Sequence, residues 1–342
     1  MMTSETSAAV AAAQAGDEAE FGRLAQRYRP ELQAHCYRML GSVDESQDLV
    51  QETYLRAWRY RTSYQGRSTF RAWLYRIATN VCLDALSRHA PARQQAIGEA
   101  AAPAVAVPWL RPYPDRALEM LKSGELEPDA AAVSRETLEL AFIAALQYLP
   151  ARQRAALVLR DVLDWSAKDT ASALETTVAS ANSALQRARA TLKTQLPRQR
   201  GEWARTTELS ATDRDLLHRY MDALERADTQ AVAALLAADA RVSHQGGAGG
   251  NLSPEPVWYQ GRDTIMAAWA PILEVADAPD MRLLATSANR QPAVASYIRT
   301  GDDPLFQAFA LTVLRIEDGY VQEVTTFGTD CFAAFDLPMT SP

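Results

Sequence analysis

The sequence predicts a multidomain chain in which two all-α helical domains precede an α+β cone. Three observations predict it. Apolar residues recur at helical spacing from Glu18 to His89, and again from Ser134 to about Leu196. Between these blocks, residues 90–134 are dominated by alanine and proline, and Pro103, Pro108, Pro112, Pro114 and Pro128 forbid a long helix. After Pro279 the pattern changes to alternation in four runs, MRLLATS, AVASYIRT, FQAFALTVLRI and YVQEVTTF. The turn signals NRQP, GDDP and EDG separate them into antiparallel strands.

From the N-terminus, residues 1–17 read as a flexible lead-in. Their alanines lack a basic flank, which makes a poor signal peptide. Residues 18–93 form the first helical domain. Pro30 and Gly41 punctuate it, Asp44 or Ser46 is placed to cap the next helix, and Leu49, Val50, Thr53, Leu55 and Trp58 supply that helix's apolar positions. TSYQGRST (62–69) reads as a loop. A helix resumes over Phe70 to Ser87, with Trp73, Leu74, Ile77, Val81 and Leu86 as its stripe. Residues 94–133 are a linker interrupted by WLRPYPD (109–115). Large aromatics in a linker call for a docking site, so Trp109, Leu110, Tyr113 and Asp115 are expected in an interdomain seam. Residues 134–200 form the second helical domain, ended by Pro197. In the last domain, 208–337, helical segments at 213–238 and 262–273 flank a Gly-rich loop (246–250) and precede the strands.

The composition narrows the function class. An apolar fraction of 48% over 342 residues is that of a folded protein with two or three cores. No apolar run reaches about 18 residues, so no membrane span is expected. Cys36, Cys82 and Cys331 are odd in number and far apart, which suits buried reduced thiols in a cytosol and gives neither a disulfide framework nor a metal site. No cofactor is expected. The net charge of −7 averages unlike segments. Residues 21–93 hold twelve arginines against six acids, 135–200 hold ten Lys/Arg against six, and 201–342 hold ten against twenty. Such asymmetry is common in nucleic-acid binders, although charge alone leaves a solvated face equally open.

The sharpest motif lies at 166–192. Ser166 followed by Asp169 is a capping box, Glu175-Thr176-Thr177 is a turn, and Thr177 is placed to cap a second helix. Val178, Ala181, Leu185, Ala188 and Leu192 give that helix an apolar stripe, from which Ser180, Ser183, Gln186, Arg187 and, near the rim, Arg189 fall away. Such a helix fits a major groove ~12 Å wide, where Gln and Arg pair with adenine and guanine. An ordinary amphipathic helix pair is the plainer alternative.

LPARQRAALVLRDVLDWSAKDTASALETTVASANSALQRARATL (149–192) resembles the promoter −35 reading domain of extracytoplasmic-function (ECF) RNA polymerase sigma factors. DESQDLVQETYLRAWR (44–59) and STFRAWLYRIATNVCLDALSR (68–88) are similar to that group's core-binding and −10 segments. The resemblance implies a sigma factor, and not an enzyme, whose partners are the polymerase core, through its clamp helices and flap, and promoter DNA. Asp48, Gln51 and Glu52 match the positions that grip the clamp. For the −10 strand, Tyr64, Phe70, Trp73 and Tyr75 offer stacking faces, Arg67, Arg71 and Arg76 offer phosphate contacts, and Asn80 matches a base-pocket position. Phe70 and Trp73 are equally readable as core. Two departures stand out: Glu175 occupies a turn position where many relatives carry glycine, and Ala184 stands where many carry a basic residue. If position 175 needs a positive φ, glutamate there costs about 1 kcal/mol.

Residues 210–335 resemble the SnoaL-like, NTF2-like fold, carried by LLHRYMDALERADTQAVAALLAADARVSH and WYQGRDTIMAAW. Some relatives of that fold are enzymes and others bind ligands or proteins. His244, Trp258, Asp263, Trp269 and Phe309 are the candidate pocket residues, for an unknown small ligand or as a filled core. The acidic balance favours a regulatory domain drawn in cis to the cationic blocks. The alternative is a small-molecule enzyme with a DNA-binding appendage. A dimeric operator-binding repressor is disfavoured by the DLVQE block.

Overall fold

The computed structural model describes residues 4–66, 68–96, 107–117, 138–195, 210–274, 278–301 and 303–341. Arg67 and most of the linker lie outside them. The chain divides into two compact units, one of residues 1–95, 116–138 and 145–203, the other of residues 96–115, 139–144 and 204–342.

The helical unit runs α1 (Ser4–Ala15), α2 (Glu18–Leu40), α3 (Val43–Arg59), a 3-10 turn (Arg61–Ser63) and α4 (Phe70–Ala96). It continues after α5 (Leu140–Gln147) with α6 (Ala151–Leu157), a π turn (Val158–Val162), α7 (Ala167–Ala173) and α8 (Val178–Gln195). The expectation of a flexible N-terminus is corrected, because α1 is a helix that buries Val10 and Ala13. Pro30 does not break α2 either. An internal proline costs ~3 kcal/mol, but Leu24, Ala25 and Tyr28 before it and Leu32, Ala34, Cys36, Tyr37, Met39 and Leu40 after it are all buried, and that burial outweighs the lost bond. Gly41 ends α2 at φ 75°, its N–H donating to the Tyr37 carbonyl at 2.8 Å. Ser42, and neither Asp44 nor Ser46, caps α3, its Oγ accepting the Glu45 N–H at 3.4 Å. Ser46 turns inward and donates to the Val43 carbonyl at 2.6 Å.

The second half of this unit packs on the first through a buried guanidinium. Arg154 donates to the Gln147 and Leu149 carbonyls at 3.0 and 3.1 Å, to Gln147 Oε1 at 2.7 Å, and to the Met39 carbonyl at the end of α2. Tyr75 of α4 meets Trp165 edge-on at 6.2 Å.

The second unit contains α9 (Ala211–Glu225), α10 (Thr229–Leu235), α11 (Arg262–Leu273) and strands β1 (Leu236–His244), β2 (Val257–Gln260), β3 (Asp280–Ala288), β4 (Gln291–Arg299), β5 (Phe306–Glu317), β6 (Tyr320–Phe327) and β7 (Thr340–Ser341). The main sheet order is β2-β1-β6-β5-β4-β3, with β7 paired to β5. The four expected runs are β3 to β6, all antiparallel to their sequence neighbours. The expected helix 213–238 is two helices and the start of a strand. Its break is at Ala227, φ 52°, and Asp228 caps α10 by accepting the Ala231 N–H at 2.9 Å. β1 pairs parallel with β6, a long-range pairing that no local alternation announces. Leu216, Leu217 and Tyr220 of α9, Val232 and Leu235 of α10 and Ile265 of α11 bury one core with Val242, Leu283, Val294, Leu314 and Val324 of the sheet.

Candidate nucleic-acid interface

The helix-turn-helix forms for the reasons its sequence supplies. Ser166 caps α7, accepting the Asp169 N–H at 3.1 Å, and the turn is closed by the Thr176 N–H donating to the Ala171 carbonyl at 2.9 Å. Glu175 sits at φ 51°, the left-handed conformation a glycine would adopt without strain. Thr177 Oγ1 caps α8 by accepting the Ser180 N–H at 3.1 Å. Ala181, Leu185 and Ala188 are buried, and Ser180, Ser183, Gln186 and Arg187 form an exposed row on the other side. Val178, the first residue of the apolar stripe, is 43% exposed. Arg189 is exposed at the rim, and its guanidinium is bidentate on Asp161 at 2.6 and 2.9 Å.

On α3, Asp48 and Gln51 are exposed and Glu52 is half-buried. Glu52 accepts from Arg56 Nε at 2.7 Å, and Arg56 reaches Asp84 of α4 at 2.7 Å. Leu55, one of the helix's recurring apolar positions, is 64% exposed. It shares with Asp48, Gln51 and Glu52 the i, i+3, i+4, i+7 spacing that defines one helix face, and it adds an apolar centre to that face.

In the loop before α4, two of the expected stacking rings, Tyr64 and Phe70 at its end, are buried, and Tyr75 of α4 is buried as well. Tyr64 is 8% exposed, its ring packed on Phe70 (5.7 Å) and Trp73 (5.5 Å) and its hydroxyl donating to the Ser68 carbonyl at 2.7 Å. It is therefore a loop anchor and not an open stacking face. Trp73 and Asn80 are half-buried. Arg71 is committed to Glu31 at 2.6 Å and is not free for phosphate. Burial raises the Glu31 carboxyl above its ordinary value, with Arg71 opposing the shift, and Tyr75 also donates to Glu31 at 3.1 Å. One turn along α2, the His35 Nε2 and Thr79 Oγ1 pair at 3.0 Å, and burial, with Arg38 and Arg71 adding to it, lowers the imidazole to about 3. Arg76 is exposed and lies 3.6 Å from the Glu175 carboxylate of the helix-turn-helix turn.

In the second unit, WLRPYPD docks on the turn between β3 and β4. The Tyr113 N–H donates to Asn289 Oδ1 at 2.7 Å, the Asn289 N–H returns to the Tyr113 carbonyl at 2.8 Å, and the Arg290 N–H donates to Asp115 Oδ1 at 2.8 Å. Leu110 and Tyr113 are fully buried, Trp109 is half-buried, and Arg111 pairs with Asp330 at 3.0 Å. The adjoining start of α5 is held by the same strand end, the Leu140 N–H donating to Gln291 Oε1 at 3.0 Å.

Among the pocket residues, His244 lies 6.2 Å from Trp269 and 6.5 Å from Tyr259, and burial lowers it to about 4. Asp263 is exposed in the first turn of α11. Trp258 is exposed on the side of β2 opposite Tyr259, and Phe309 is the extra residue of a β-bulge between Ala308 and Ala310, outside the core cluster. Of the five, His244 and Trp269 come together, beside Tyr259.

Residues 24–91 match the Sigma-70 region 2 family, residues 139–192 match Sigma-70 region 4, and residues 217–324 match the SnoaL-like domain. The ECF RNA polymerase sigma factor SigG of Mycobacterium tuberculosis is 39% identical over 332 residues, 93% of this chain and 84% of its own length. The chain belongs to the ECF RNA polymerase sigma factors. The RNA polymerase sigma-H factor of Pseudomonas aeruginosa is 30% identical over 176 residues, 52% of this chain and 86% of that protein. The crystal structure of the M. tuberculosis extracytoplasmic function sigma factor SigJ shares the fold, with a TM-score of 0.58 at 21% identity over 93% of this chain and 99% of that one. An ECF sigma factor binds the polymerase core and promoter DNA and directs transcription initiation, and this one carries a SnoaL-like domain after region 4. Among the described residues no helix is long and apolar enough to cross a membrane.

Proposed function

We propose that three surfaces of this ECF sigma factor share its task. The α3 face of Asp48, Gln51, Glu52 and Leu55 grips the clamp helices of the largest polymerase subunit. Ser180, Ser183, Gln186 and Arg187 on α8 read −35 duplex. The 60–69 loop and the start of α4 hold the −10 strand, with Arg76 and Asn80 as its accessible polar contacts. The single observation that carries this reading is the exposed row of hydrogen-bonding side chains on α8, opposite a buried Ala181–Leu185–Ala188 stripe. That is the division a groove-reading helix needs.

The SnoaL-like domain tunes this activity in cis. Support comes from the linker: WLRPYPD, on the C-terminal side of the −10 module, is hydrogen-bonded to the β3–β4 turn, and the start of region 4 is capped from Gln291. A change in that domain is thereby passed to the segment that joins the two promoter readers. Asp263 is exposed in the first turn of α11 and burial lowers His244 to about 4, an arrangement that supports a regulatory domain over acid–base chemistry.

The test uses full-length protein with polymerase core. Asp48→Ala with Glu52→Ala abolishes co-purification with the core. Retained binding refutes the assignment of the grip. Start-site mapping with wild type and with a linker-undocked variant then shows whether the SnoaL-like domain inhibits or assists.

A further inference from the structure

The N-terminal helix does more than cover α2. Gln14, at the end of α1, donates from Nε2 to the Tyr64 carbonyl at 2.6 Å and lies 3.4 Å from the Arg61 carbonyl. Both acceptors belong to the loop between α3 and α4, about fifty residues away in sequence. We infer that Gln14 is a positioning residue for −10 recognition: α1 fixes the reading loop so that its exposed tip meets an opened strand in one geometry. The inference rests on the reading of that loop proposed above.

The loop's own anchors explain why a second tether matters. On its N-terminal side, Arg61 is held by its guanidinium, which lies 4.1 Å over the Trp58 ring and donates to the Trp58 carbonyl at 2.9 Å. Trp58 in turn packs on Phe21 at 5.1 Å. On its C-terminal side, the Tyr64 ring is clamped by Phe70 and Trp73 and its hydroxyl holds Ser68. These contacts hold the loop at its two ends, at the Trp58 and Ser68 carbonyls. At its centre the Arg61 carbonyl accepts the Tyr64 N–H at 3.3 Å, and the Gln14 amide adds a bridge from that carbonyl to the Tyr64 carbonyl. Beyond Tyr64 the described tip residues Gln65, Gly66, Ser68 and Thr69 are exposed, with Gly66 at φ 67°. A site that captures a base must hold its backbone within ~0.5 Å of the productive geometry. A side-chain amide bridging two carbonyls of a short turn is a direct way to do so. Asp17, two residues after α1, starts α2, its side chain accepting the Ala19 and Glu20 N–H groups at 3.0 and 3.1 Å.

The experiment uses the full-length chain with polymerase core and a promoter set in which each −10 position is substituted in turn. Gln14→Leu keeps the volume and removes the donor; Gln14→Ala is the second variant, and thermal unfolding reports whether each is folded. One hydrogen bond of this kind is worth about a five-fold change in an equilibrium. The expected result is a roughly five-fold loss of discrimination between the preferred −10 base and its substitutes, with core affinity and −35 duplex affinity at wild-type values. A uniform loss of transcription on all templates, with discrimination intact, overturns the inference and leaves α1 a structural helix. Substituting the tip residue Gln65 separates the two levels. If Gln65→Ala alters −10 discrimination and Gln14→Leu does not, the loop reads DNA without help from α1. If neither does, the loop is not the reader and both readings fall.

Discussion

Replacing Asn289 by alanine would release the linker from the SnoaL-like domain, and its magnitude comes from two features of the site. Asn289 is fully buried and its Oδ1 accepts the buried Tyr113 N–H at 2.7 Å. Without the amide that N–H loses this acceptor, at a cost of about 1–3 kcal/mol. Asn289 also sits at φ 56°, where asparagine is tolerated and alanine is strained by a further ~1 kcal/mol. The sum is about 3 kcal/mol, or roughly a hundred-fold rise in the undocked population at 1.4 kcal/mol per factor of ten. Asn289→Gly removes the acceptor without the strain, so it isolates the hydrogen bond and should give about a thirty-fold rise. Hydrogen exchange over residues 107–117, read by mass spectrometry, measures this opening directly. Protection of that peptide unchanged in both variants would refute the reasoning, since the linker would then be held by something other than the Tyr113–Asn289 pair.

Three further outcomes are expected. His35 at about 3 and His244 at about 4 are both lowered from 6.5 by burial, so the unfolded state binds protons that the folded state refuses. Stability is therefore full above pH 6.5 and falls as pH drops toward 4, by a few kcal/mol for His35; His35→Phe flattens that loss in a denaturant titration at pH 7 against pH 5, and an equal loss in the variant contradicts it. Arg187→Ala weakens binding to −35 duplex and lowers the salt slope by about 0.9 if the guanidinium meets a phosphate, and an unchanged affinity and slope remove it from the contact set. Leu55→Asp should reduce affinity for polymerase core at least ten-fold while leaving thermal stability within about 0.5 kcal/mol, because the side chain is already in solvent; a cooperative loss of folding instead would mean that Leu55 belongs to the core after all.

What the sequence determined is what local chemistry dictates. Capping by Ser166 and Thr177, the turn at Glu175-Thr176-Thr177, the alternation of β3 to β6 and the proline-rich break between helical blocks are each set by neighbours within a few residues. Those neighbours are visible in a linear string of residues. The family came from the same local motifs, since region 2 and region 4 are contiguous segments. What only the tertiary structure decided is which charges and rings are spent on the protein itself. Arg71 and Arg189 read as free cations until Glu31, 40 residues away, and Asp161, 28 residues away, claim them. Tyr64 read as an exposed loop aromatic until Phe70 and Trp73 enclosed it. Periodicity reports which face a residue occupies. It does not report whether that face meets the core or solvent, and so Leu55 read only as an apolar helix position and the N-terminal helix as a loose lead-in. The parallel β1–β6 pairing and the grip of Asn289 on Tyr113, 176 residues apart, come from chain closure over long loops, for which local sequence carries no signal.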